Sequence, residues 1–159
     1  MDPDFDVAQL SADRLLEDWH WLLKLRVSVI ARNVFGDLFL VDDIGNIVRL
    51  EVSVGRVTQI ATSVEQFLSM AGTESKQQEW FAKEDAMQFA KKGLIPNQEQ
   101  CIAFKIPVVF SECANTTNNA YVGNLYEYVS YLGSIHRQIA ELPDGSKIKL
   151  RIQPERPPE

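Results

Sequence analysis

Across residues 121–148, Leu125, Val129, Leu132, Ile135, Ile139 and Leu142 recur every three or four positions, one face of a 3.6-residue period. The spacing predicts a helix whose apolar face needs a partner. Pro143, Asp144 and Gly145 follow: a residue of fixed φ, one that bonds its own backbone and one free to take positive φ. They predict a helix stop and a turn. Near the start of the chain, Leu15, Trp19, Leu22 and Leu23 share another helical face with Leu16 beside it. Ser11 stands at its N-cap, and Asp13 lies in the first turn, where the helix dipole favours an acid. A third helix opens at Thr62 or Ser63, carries Val64, Phe67, Leu68 and Met70, and ends at Gly72, with Ser63 and Gln66 at capping-box spacing. Ser75 and Gln78 repeat that spacing before a fourth, whose stripe is Ala82, Ala86, Phe89 and Ala90 and whose stop is Gly93.

From Leu25 the period shortens to two and β-branched residues become frequent. Strand character runs through Val27 and Val29 and continues over residues 33–41. Turn residues at 42–46 and 53–55 separate returning strands at 47–52 and 56–60, so residues 39–60 form an antiparallel meander. Residues 100–106 form a further strand that Pro107 ends or confines to an edge, and residues 111–119, SECANTTNN, are a polar loop. Alternation over residues 147–152 fits a last strand. The expected fold is therefore α+β: an antiparallel sheet meander packed against about four helices in a single domain. That domain covers residues 1–152 and leaves a Pro-rich flexible tail at 153–159.

Charge narrows the function classes. The 22 acidic residues outweigh 16 basic ones, for a formal net charge of -6, which a phosphate backbone repels. Lys91 and Lys92, or Lys147, Lys149 and Arg151, are short basic groups without interleaved rings, so no direct nucleic-acid contact is expected. The acidic balance suits a basic protein partner instead. The N-terminus is acidic where a secretory signal is basic, and no apolar run is long enough to span a membrane, so a cytoplasmic location is expected. Two cysteines, Cys101 and Cys113, are too few for a disulfide framework.

Catalytic chemistry has few candidates. Cys101 or Cys113 would be the nucleophile and His20 or His136 the base, but Cys101 sits in an apolar run where a cysteine behaves as a small hydrophobe. The spacing of the cysteines and histidines does not fit zinc, Asp37, Asp42, Asp43 and Asn46 do not fit a calcium loop, and Gly123 and Gly133 do not fit a phosphate loop. Neither a cofactor nor a catalytic residue is expected. Tyr121, Tyr126, Tyr128 and Tyr131 lie near Glu127 and Glu112, a combination favourable for protein contacts.

The stretches FGDLFLVDDIGNIVRL, GLIPNQEQCIAFKIPVVF and LGSIHRQIAELPDGSKI resemble successive blocks of a bacterial family, the C-terminal domain of type VI secretion DNase immunity proteins, which is related to GAD-like domains. The resemblance runs from Trp19 to Ile148. Its most specific element combines Phe104-Lys105-Ile106-Pro107 with Ile135-His136-Arg137-Gln138 and Leu142-Pro143-Asp144-Gly145. It implies a small α+β immunity protein, not an enzyme, that binds a cognate nuclease toxin in the producer's own cytoplasm and blocks it. The loop SECANTTNN and the Pro-rich tail depart from the family pattern. Under this reading the partner contacts are Asp37, Asp42 and Asp43 from the hairpin region, with Glu112, Tyr126 and Glu127 from the polar loop and closing helix. The alternatives are an adaptor or regulatory module with an unrelated partner, and a small hydrolase using His136 with Cys101 or Glu127.

Overall fold

The computed structural model describes residues 5–110, 113 and 118–148. The chain is α+β. Strands β1 (Val27–Arg32), β2 (Leu38–Asp42), β3 (Ile47–Glu51) and β4 (Arg56–Ala61) form a four-stranded antiparallel meander in the order β1-β2-β3-β4. Strands β5 (Gln100–Phe104) and β6 (Ala120–Asn124) make a separate antiparallel pair. The helices are α1 (Ala12–Leu15), α2 (Val64–Ala71), α3 (Glu74–Phe81), α4 (Lys83–Lys91) and α5 (Leu125–Ile139), with a 3-10 turn at Glu17–Trp19.

The run Leu38-Phe39-Leu40 shows no polar alternation because both faces of the meander are covered. Leu38, Leu40, Val48 and Leu50 belong to one core with Leu15, Trp19, Leu125, Val129 and Leu132. Phe39 and Ile47 belong to the opposite core with Phe67, Trp80 and Phe81. There the Phe39 and Phe81 rings are 5.1 Å apart and those of Phe67 and Trp80 5.4 Å, distances at which tilted and offset rings attract. A third cluster, Val34, Phe89, Ile102, Phe104 and Ala120, joins the β5–β6 pair to the rest.

Several sequence expectations are corrected. The strand expected over residues 33–41 is interrupted. Asn33 Oδ1 accepts from the amides of Phe35 and Asp37, both at 3.0 Å, and Gly36 takes a φ of +95°, so residues 33–36 form the β1–β2 turn. The first amphipathic helix shrinks to α1 and the 3-10 turn, although Ser11 caps it as expected by accepting from the Arg14 amide at 3.3 Å. The break lets buried Trp19 donate from Nε1 to the Val129 carbonyl at 2.8 Å. The fourth helix is two helices. Thr73, not Ser75, caps α3, and Ala82 breaks the run in a left-handed conformation, φ +48°. Trp80 and Phe81 are thereby buried in the core beneath the sheet while Phe89 reaches the third cluster.

Tyr121 lies on β6, which the sequence pattern did not predict, and α5 begins only at Leu125, where Asn124 accepts from the Glu127 amide at 3.0 Å. Leu142 is exposed beyond the end of α5, not part of its apolar face. Of the expected last strand, Lys147 and Ile148 have no regular structure, and residues 149–152 lie outside the described residues, as does the tail at 153–159.

Candidate partner-binding surface

The interior titratable groups are engaged in holding the fold. Asp37 is 8% exposed. Its Oδ1 accepts from the Val52 amide at 3.0 Å, and its Oδ2 accepts from Asn33 Nδ2 and Arg49 Nη2, both at 3.1 Å. Burial pushes its pKa up, opposed by the Arg49 charge and these hydrogen bonds. Asp37 is therefore a structural junction between the β1–β2 turn and β3, not the surface contact expected from its charge. From Arg49 the network continues to Glu51 at 3.6 Å, and Glu51 accepts from Arg56 Nε at 2.8 Å.

His136 is also built in. Its Nε2 lies 3.0 Å from the Val52 carbonyl oxygen, so the ring donates from Nε2, and it packs on Trp19 with centroids 5.7 Å apart. Desolvation lowers its pKa, although backbone hydrogen bonds oppose the shift. Gly55, at φ +69°, makes room for it: a Cβ there would stand 2.7 Å from His136 Nδ1. Cys101 is fully buried, and burial pushes its thiol up to about 12, which disfavours the thiolate a nucleophile needs. Nor does the fold pair His136 with Glu127. The two are nine residues apart on α5, half a turn out of phase, with His136 buried and Glu127 exposed. Among the described residues no group of three or more His, Cys, Asp or Glu side chains could hold a metal ion.

The expected contact residues do not form one patch. Asp42 uses Oδ1 to accept from the Ile44 and Asn46 amides, shaping its own turn, whereas Asp43 is exposed. Glu127 is exposed in the first turn of α5. The β1–β2 turn, not the Asp42–Asp43 turn, lies against this end of α5: a Cβ at Gly36 would be 3.5 Å from Val129 and 3.7 Å from Leu125. The length of β2, about 17 Å at 3.3 Å per residue, separates the two turns. Tyr126 is 9% exposed; its hydroxyl accepts from the Ser11 amide at 3.0 Å, and the Arg14 guanidinium sits 4.1 Å from its ring centroid. Tyr126 thus anchors α1 and is no open contact. Glu112 lies outside the described residues.

Of the four tyrosines noted for contact chemistry, Tyr121 and Tyr131, which were not among the expected contact residues, are 41% and 43% exposed. The i, i+4 spacing of Glu127 and Tyr131 was the available signal. Two cavities line β1. One, of about 430 Å³, is bordered by Asp13, His20, Lys24 and Arg26 over Leu16 and Val27. The other, of about 390 Å³, lies between Phe5, Val7 and the strand residues Val29, Ile30 and Arg32. No protein-family model and no curated protein matches this chain. Among the described residues no helix is long and apolar enough to cross a membrane.

Proposed function

We propose that this chain is a cytoplasmic immunity protein that binds a cognate type VI secretion nuclease toxin and neutralises it by covering its surface. The carrying observation is the division of its polar chemistry. Asp37, Cys101 and His136 are buried in the fold, while Asp43, Glu127, Tyr121 and Tyr131 face solvent. An exposed set of carboxylates and phenols on a chain of net charge -6 complements the basic surface with which a nuclease holds DNA. The resemblance over residues 19–148 supports the same reading. Where a neighbouring reading frame encodes a nuclease toxin, co-expression with it should protect a host that the toxin alone kills. Undiminished killing despite soluble expression of this chain would refute the proposal.

One observation favours a second reading, an adaptor for an acidic peptide. His20, Lys24 and Arg26 border the larger cavity, and Lys24 and Arg26 make no ion pair among the described residues. Retention of acidic peptides, with no retention of the nuclease, would favour it.

A further inference from the structure

The four tyrosines divide into two pairs by what their hydroxyls do. Tyr126 accepts from the Ser11 amide, and Tyr128 accepts from the Phe104 amide at 3.3 Å, so both are part of the framework. The hydroxyls of Tyr121 and Tyr131 make no hydrogen bond among the described residues, and the Glu127 carboxylate makes no hydrogen bond or ion pair among them.

Those three groups share one surface. In the β5–β6 pair, Tyr121 stands opposite Ala103 and Gly123 opposite Cys101. All four therefore lie on one face of the pair, the face through which Cys101 and Ala103 join the core containing Leu125, Tyr128 and Val129. Tyr121 lies on that face and is 41% exposed, while Glu127 and Tyr131 follow one another by one helical turn on the exposed stripe of α5. Burial is the first cause that shifts the Tyr121 phenol upward, and electrostatic interaction with Cys101, Tyr131 and Glu127 adds to the shift. Its ring is held in place: a Cβ at Gly123 would be 2.9 Å from Tyr121 Cε2, so the glycine lets the ring lie against the strand.

We propose that Tyr121, Glu127 and Tyr131 form the docking site for an arginine- or lysine-bearing segment of the nuclease. This assignment rests on the immunity reading and specifies where contact is made. Two rings offer faces to a cation, two unengaged hydroxyls offer hydrogen bonds, and one unpaired carboxylate supplies the countercharge. A ring already fixed in position loses little freedom on binding, which suits an interface anchor. The turn bearing Asp43 has an exposed carboxylate and an exposed Ile44 but no aromatic anchor, and contributes long-range attraction only.

The test is calorimetric titration of the full chain with a catalytically inactivated form of the nuclease toxin against which co-expression protects. Tyr131→Ala should weaken binding about 30-fold or more, as an interface anchor does. Glu127→Gln should weaken it about tenfold and flatten its dependence on salt between about 50 and 200 mM. Tyr121→Phe and Tyr131→Phe keep the rings and should show smaller losses, while thermal melts close to wild type confirm that every variant folds. Glu65→Gln, exposed on α2 on the side of the sheet away from α5, is the control and should change affinity less than about threefold. If the wild-type chain binds and Tyr131→Ala and Glu127→Gln bind equally well, the docking site is overturned while the immunity reading stands. If the wild-type chain does not bind the nuclease, the reading and the site fall together.

Discussion

The inner and outer faces of α5 make opposite use of the same 15 residues. On the inner face every polar group has a fixed partner. The Val129 carbonyl accepts from Trp19 Nε1, Ser130 donates to Asp18, and His136 donates to the Val52 carbonyl. On the outer face Glu127 and Tyr131 have none among the described residues, while Ser134 and Gln138 bond only within the helix. The inner face secures a helix against a sheet. The outer face leaves unengaged donors, acceptors and rings on a rigid support, which is what a partner-binding surface requires. Substitutions on the two faces should therefore separate stability from binding.

The largest effect is expected on the inner face, at Gly133. Glycine inside an exposed helix costs roughly 0.5–1 kcal/mol relative to alanine, so Gly133→Ala would stabilise a helix standing alone. Here an added Cβ would lie 2.7 Å from the Asp18 carbonyl oxygen and 2.9 Å from Trp19 Nε1. Backbone must move, and overpacking of this kind costs typically 1–3 kcal/mol, enough to outweigh the propensity gain. Chemical denaturation should show a net loss of about 2 kcal/mol. A more stable Gly133→Ala variant would show that the 3-10 turn yields easily and that the inner face is not closely packed.

A second, smaller effect distinguishes the faces by pH. His136 has a folded pKa below its ordinary value of 6.5, so the unfolded chain binds the proton more readily. Its contribution to stability is present above about pH 6.5 and is lost as pH falls through that value toward the folded pKa. His136→Gln retains an amide donor for the Val52 carbonyl but cannot titrate. Melting temperature should fall between about pH 7.5 and pH 5.5 in the wild type, and less in the variant. Parallel curves would mean that His136 titrates alike in both states and that its bond to Val52 does not constrain its protonation.

Legibility in the sequence followed the range of the interactions. Gly45 and Gly55 mark the β2–β3 and β3–β4 turns at positive φ, and Ser63 caps α2, because each depends on neighbours within a few residues. The break at Ala82 was hidden, since alanine is the strongest helix former and only the separate destinations of Phe81 and Phe89 place it in the left-handed region. Strand β6 was missed because it contains Gly123 and pairs with β5 across the 111–119 segment. In the candidate site, the charge of Asp37 was legible and its burial was not. Tyr126 and Tyr131 look alike in the chain, and only the position of α1 decides which one is covered.

The smallest expected effect makes the sharpest comparison. Removing an unbonded exposed hydroxyl deletes no hydrogen bond from the folded chain, so Tyr131→Phe should change stability by less than about 0.5 kcal/mol. The same change at Tyr128 removes the acceptor for the buried Phe104 amide and should cost about 1–3 kcal/mol, the penalty for a buried donor left without a partner. Paired denaturation curves of Tyr128→Phe and Tyr131→Phe test this directly, since both variants lose one oxygen from one helix. Equal losses would mean that Tyr131 is held by the fold as Tyr128 is, and the outer face of α5 would then no longer offer an unengaged surface to a partner.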